Sequence, residues 1–168
     1  VVAARLKPAI GSTAVYAPLG GDPLTVAIAS AYANALGVPL LAASTALPKS
    51  TVNAITTLQL KGGVAIGDSD ALPETVLTQL PSVSRIIGKD PASTSFALAR
   101  SLPAGVPMLV VESAAQPDPL QLIQRSRRGE AQWLLPPGEL STAARAWLIG
   151  RGDITQAVVT PRIGRTVA

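Results

Sequence analysis

The chain of 168 residues contains no cysteine and no histidine. Their absence removes thiol chemistry, His-based triads and most zinc sites together. It leaves the compartment open, since a core of this size needs no disulfides. Aromatic residues make up only 3% of the chain against an apolar share of 48%, so Ala, Val, Leu and Ile must build the core. Tyr16, Tyr32, Phe96, Trp133 and Trp147 are too few for a base-stacking platform, and no nucleic-acid partner is expected. No uninterrupted apolar run approaches the roughly 18 residues of a spanning helix, so no membrane insertion is expected. No charged segment leads into an apolar signal stretch, but the sequence opens on Val1 rather than Met, which makes that observation uninformative.

What is present is a stretch that occurs twice. Gly20-Gly21-Asp22-Pro23 opens an Ala-rich run ending in Gly37-Val38-Pro39-Leu40-Leu41, and Gly88-Lys89-Asp90-Pro91 opens a similar run ending in Gly105-Val106-Pro107-Met108-Leu109. Asp22 to Asp90 and Pro39 to Pro107 are both 68 positions. Two landmarks at one spacing argue for internal duplication.

Short apolar segments alternate with helical patterns throughout. Strands are expected at 13–18, 38–42, 64–67, 84–87, 108–111, 133–135 and 156–159. Helices are expected at 24–36, 47–60, 72–80, 92–102, 118–127 and 139–149. Lys61-Gly62-Gly63 reads as the stop of the second helix. This pattern predicts an α/β fold, a parallel sheet of about seven strands with helices on both faces, in a Rossmann- or flavodoxin-like three-layer arrangement. The expected organisation is a lead-in at 1–12, one domain at 13–160 and a basic tail at 161–168. Within the domain, repeats at 13–80 and 83–149 are followed by a final strand at 154–160.

Candidate sites fall on the loops after strands. Asp22-Pro23, Asp90-Pro91 and Asp118-Pro119 fit helix caps with proline in the first turn; the functional alternative is a sugar-binding or anion-repelling rim. Gly20, Gly21 and Gly88 lie at strand-to-helix turns where backbone N–H groups could hold a phosphate, although an acidic residue stands close behind. Asp68-Ser69-Asp70, after Gly67, is the sharpest chemical candidate. Two carboxylates one residue apart at a strand's end can hold Mg²⁺ or Mn²⁺ for a phosphorylated or nucleotide-sugar substrate. The alternative is a turn in which Asp70 caps the next helix. Arg85 and Arg100 could pair with nearby carboxylates. Trp133 and Trp147 have spacings that suit core packing better than carbohydrate stacking. No Gly-x-Gly-x-x-Gly, P-loop lysine or Gly-x-Ser-x-Gly motif occurs, and no cofactor is expected. Fourteen Lys and Arg against ten Asp and Glu give a net charge of +4. Arg125, Arg127, Arg128, Arg162 and Arg165 hold much of it, an excess that favours anionic partners.

From Arg85-Ile86-Ile87-Gly88-Lys89-Asp90 onward the chain resembles the type 2 cell-wall-binding repeat of Gram-positive surface proteins. The match runs through Arg85, Ile86, Gly88, Asp90, Thr94, Leu98 and Ala99, with Pro91 and Ala92 where the family carries Arg and Tyr. In the first half Gly20, Ala33, Leu36, Pro39 and Leu41 match, while Thr25 stands where an Asp is expected and Gly67-Asp68 replaces a Gly-Gly. The resemblance implies a secreted, non-catalytic module, extracellular or in the cell envelope after removal of its signal peptide, that recognises an anionic wall polymer or glycan. Family members often carry three repeats that associate in a threefold arrangement; two are visible here, and self-association is a further expectation. The ligand-binding residues expected on this reading are Gly20, Gly21, Asp22, Gly67, Asp68, Ser69, Asp70, Arg85, Gly88, Lys89 and Asp90. Two alternatives remain: a divalent-metal-dependent enzyme working through Asp68 and Asp70, and a structural docking domain.

Overall fold

A computed structural model describes residues 12–18, 20–112, 118–126, 131–135 and 142–151. Strand β1 (Thr13–Ala17) leads through Asp22 into helix α1 (Pro23–Leu36). The Asp22 carboxylate accepts from the Thr25 N–H at 2.8 Å, and Pro23 follows in the first turn. Gly37, at φ 66°, ends the helix in the left-handed conformation that residues with a Cβ avoid. Strand β2 (Leu40–Ala42), helix α2 (Lys49–Thr57), strand β3 (Gly62–Ala65) and helix α3 (Glu74–Leu77) complete the first half.

The second half repeats this order at the 68-residue offset. It runs β4 (Val83–Arg85), α4 (Pro91–Ser101), β5 (Met108–Glu112), α5 (Pro119–Ser126), β6 (Ala131–Leu135) and α6 (Thr142–Gly150). Asp90 caps α4 as Asp22 caps α1, and Gly105 has a positive φ of 82° where Gly37 does.

The strand pairing does not repeat. The first sheet is parallel with order β2-β1-β3-β4, and β5 pairs directly with β6 in a separate two-stranded parallel sheet. In place of one sheet of about seven strands, the described residues hold four strands plus two. The strand expected at 154–160 lies outside the described residues, as do 1–11 and the tail. The position of β4 has a simple cause: the crossover from β3 through the four-residue α3 is short, so the chain returns to the nearest open edge, that of β3.

Side-chain alternation along β1 makes the first sheet a filling between helices. Val15 and Ala17 pack with Ala27, Ile28 and Tyr32 of α1, while Ala14 and Tyr16 pack with Ala54 of α2 and Val76 and Leu77 of α3. Helix α1 is buried nearly all round, at Ala27, Ile28, Ala29, Ala31, Tyr32 and Ala33. Its far side packs against α4, α5 and β6. Alanine is what permits this, because small side chains let a helix lie close to layers on both sides. The Tyr32 hydroxyl bonds the Ser101 hydroxyl of α4 at 2.9 Å. Ser95 ties α4 to β6: its Oγ accepts from the Leu134 N–H at 2.8 Å and donates to the Ala92 carbonyl at 2.7 Å.

Gly62 and Gly63, read from the sequence as a helix stop, are instead the first residues of β3. A Cβ on Gly63 would fall 2.8 Å from the Tyr16 ring and closer still to the Ala14 carbonyl. Glycine here leaves room for the Tyr16 ring beside the neighbouring strand.

Candidate functional site

In an open parallel sheet, ligands bind outside the carboxyl ends of the strands, where successive connections leave in opposite directions. With the order β2-β1-β3-β4, that point lies between β1 and β3. The loops there carry Gly20, Gly21 and Asp22 after β1 and Gly67, Asp68, Ser69 and Asp70 after β3. The loop after β4, with Gly88, Lys89 and Asp90, lies on the same edge because β4 runs parallel to β3. The structure therefore brings the three expected loops to one sheet edge. The first two touch: a Cβ on Gly67 would sit 3.2 Å from Pro18 Cδ.

Most polar groups of this edge are engaged in holding the loops together. One Arg85 nitrogen donates to the Gly67 carbonyl at 2.6 Å, and another to the Leu72 carbonyl at 2.6 Å and to Glu74 Oε2 at 3.4 Å. The pairing expected for Arg85 with a carboxylate is thus present, but the guanidinium acts as an internal brace for the β3–α3 loop. Asp68 Oδ1 accepts from the N–H groups of Asp70 at 3.1 Å and Ala71 at 2.7 Å. It is Asp68, not Asp70, that organises this turn, and Pro73 stands at the head of α3. Among the described residues no group of three carboxylate, histidine or cysteine side chains is placed to hold a metal ion.

Asp22 Oδ2 also accepts from the Thr25 hydroxyl at 2.8 Å. Asp90 Oδ1 accepts from the Ser93 N–H at 2.7 Å and the Ser93 hydroxyl at 2.6 Å, and the Asp90 N–H donates back to Ser93 Oγ at 3.1 Å. This reciprocal capping box, led by the Ser93 hydroxyl, holds the Asp90 carboxyl below its ordinary value. Asp118 likewise accepts from the Leu120 N–H at 2.9 Å. All three Asp-Pro pairs are caps. The Gly88 N–H donates to Thr94 Oγ1 at 2.9 Å, and a Cβ there would come within 2.5 Å of the Thr94 nitrogen. Gly20, with open space on its Cβ side, is exposed to solvent, as are Gly21, Asp22, Asp68, Ser69, Asp70, Lys89 and Asp90.

Two features escaped the sequence reading. Thr25 and Ser93 hold equivalent capping positions at the 68-residue spacing, a signal that was available. Phe96, Trp133 and Trp147 form one cluster, with ring centroids 5.2 to 5.6 Å apart. Arg100 lies over Phe96 at 5.9 Å, and Arg151 lies over Trp147 at 5.4 Å. Arg100 thus stacks on a ring where a carboxylate partner was expected. The spacing of four residues in both Arg–aromatic pairs, within α4 for one and from α6 to the residue after it for the other, was the signal for it. Arg127 and Arg128 lie outside the described residues.

No family model matches the sequence. No curated protein matches it. Its fold is similar to that of Cwp6 from Clostridium difficile, with a TM-score of 0.72 and 20% identity. The match covers 89% of this chain and 25% of that one, so the chain spans about a quarter of the length of the structure it resembles. At this identity the likeness is one of fold, and the fold is one that a cell wall protein contains.

Proposed function

We propose that the chain is a non-catalytic binding module of the cell envelope that recognises an anionic wall polymer or glycan. The observation that carries this reading is the fold shared with Cwp6, a cell wall protein, over nearly the whole of this chain. The type 2 repeat residues at Arg85 to Ala99 and the net charge of +4 support it. So does the site chemistry: Asp22, Asp68 and Asp90 accept backbone N–H groups, as loop supports do. Gly20, Gly21, Ser69 and Lys89 are exposed groups of this edge that carry no negative charge.

Co-sedimentation with purified Gram-positive walls tests the reading. The chain is expected to pellet with walls at low ionic strength and to be released as salt screens exposed charges. Absence of wall retention at low ionic strength would overturn it. Calorimetry with Mn²⁺ tests the non-catalytic part. Heat that disappears in Asp68→Asn would move the assignment to the metal-dependent enzyme.

A further inference from the structure

We propose a second polymer-contact surface away from the strand-end loops: the aromatic and cationic face where α4 and α6 meet. The inference rests on the wall-binding reading and says where on the molecule the polymer is held.

Three of the chain's five aromatic side chains gather at this face. Trp133 is buried and does the packing. Phe96 and Trp147 are only partly buried. The guanidinium groups of Arg100 and Arg151 lie over their rings. Arg151 also reaches the carbonyls of Leu102 at 3.5 Å and Pro103 at 3.4 Å, which draws the end of α6 onto the end of α4. Both cations therefore belong to one patch, at the end of α4 opposite Asp90.

The charge of these helices has one sign. Helices α4 and α6 contain Arg100 and Arg145 and no Asp or Glu, and Arg151 follows α6 directly. The exposed Arg100 guanidinium, held over the Phe96 ring, presents edge N–H donors in the fork that suits a phosphate or carboxylate, while Arg151, bonded to the Leu102 and Pro103 carbonyls, adds its positive charge. Stacking restricts the side chain beforehand, so less freedom is lost on binding. The partly exposed Phe96 and Trp147 rings beside it add apolar surface for the C–H groups of a sugar. An anionic glycan offers both chemistries in one chain, which a neutral glycan or a simple polyanion does not.

The test uses the full chain and purified Gram-positive walls, before and after acid extraction of their anionic polymers. Arg100→Gln with Arg151→Gln is expected to weaken wall binding about tenfold, as loss of charge-assisted contacts does. Lys61→Gln, on the loop between α2 and β3, is expected to bind as the parent does. Tryptophan emission of the parent, which reports only Trp133 and Trp147, should change on adding walls and not on adding extracted walls. If the double variant is unfolded by circular dichroism, Arg100→Gln alone decides, with a loss of about threefold expected. Parent binding left unchanged by the folded variant overturns this surface but not the wall-binding reading. Equal binding to extracted walls, or equal competition by polyglutamate, also overturns it. A parent that fails to bind walls overturns both.

Discussion

Arg85 braces Gly67 across two neighbouring strand ends, its guanidinium 2.6 Å from the Gly67 carbonyl. With the Leu72 carbonyl as second acceptor, one side chain fixes both ends of the β3–α3 loop. Arg85→Ala should destabilise the fold by about 2 to 4 kcal/mol, since two bonds to a charged donor are lost and two carbonyls are left behind. Arg85→Lys should not restore it, because one ammonium cannot serve two carbonyls in a fork. Glu74→Gln should change stability by less than about 1 kcal/mol, as Glu74 is 79% exposed. Urea denaturation checks all three.

The Tyr16 hydroxyl is fully buried and has no hydrogen-bond partner among the described residues. Tyr16→Phe should therefore be neutral or stabilising, by up to about 1 kcal/mol. Burial pushes the phenol up to about 12 from its ordinary 10.0. A raised value means that stability is level below pH 10 and falls as the pH climbs toward 12. The variant should lose less stability over that alkaline window. Thermal melts at pH 8 and 11 test this, and identical alkaline losses would refute it.

Gly63→Ala should be severely disruptive, by about 3 kcal/mol or more, because its Cβ meets the Ala14 carbonyl and the Tyr16 ring. Gly20→Ala, with open space on its Cβ side, should cost little. The two variants share chemistry and differ only in surroundings, so expression yield and melting temperature separate them directly.

Removing either helix cap, Asp22→Ala or Asp90→Ala, should cost about 1 kcal/mol. The Asp90 contribution should also depend on pH. Its carboxyl is held below the ordinary 3.8, so the stabilisation is complete above that value and is lost as the pH falls through the lowered one. The difference between the parent and Asp90→Ala should shrink in acid melts.

Element order was legible in the sequence because each helix announces itself. Asp22-Pro23, Asp90-Pro91 and Asp118-Pro119 mark three starts, and Gly37 marks an end. Strand pairing was not legible. The alternation of strands and helices predicted one sheet of about seven strands, yet pairing depends on which edge lies open nearest, a tertiary matter. Gly62-Gly63 was misread for a related reason: glycine ends helices on local grounds, but here it answers to the Tyr16 ring on the adjacent strand. The placement of the three loops at one sheet edge was legible because each follows a strand. Their hydrogen-bond economy was not, since neither the reach of Arg85 to Gly67 nor the turn made by Asp68 has a sequence signature.

Because β4 opens the second 68-residue stretch and yet hydrogen-bonds to β3 of the first, the boundary between the two stretches is not a boundary of folding. A fragment ending at residue 82 would lose the strand that shields β3 and bare the outer side of α1. Neither half should persist as an autonomous piece, and exchanging one 68-residue stretch for another would cut through the β3–β4 pairing and the packing of α1 on α4, α5 and β6.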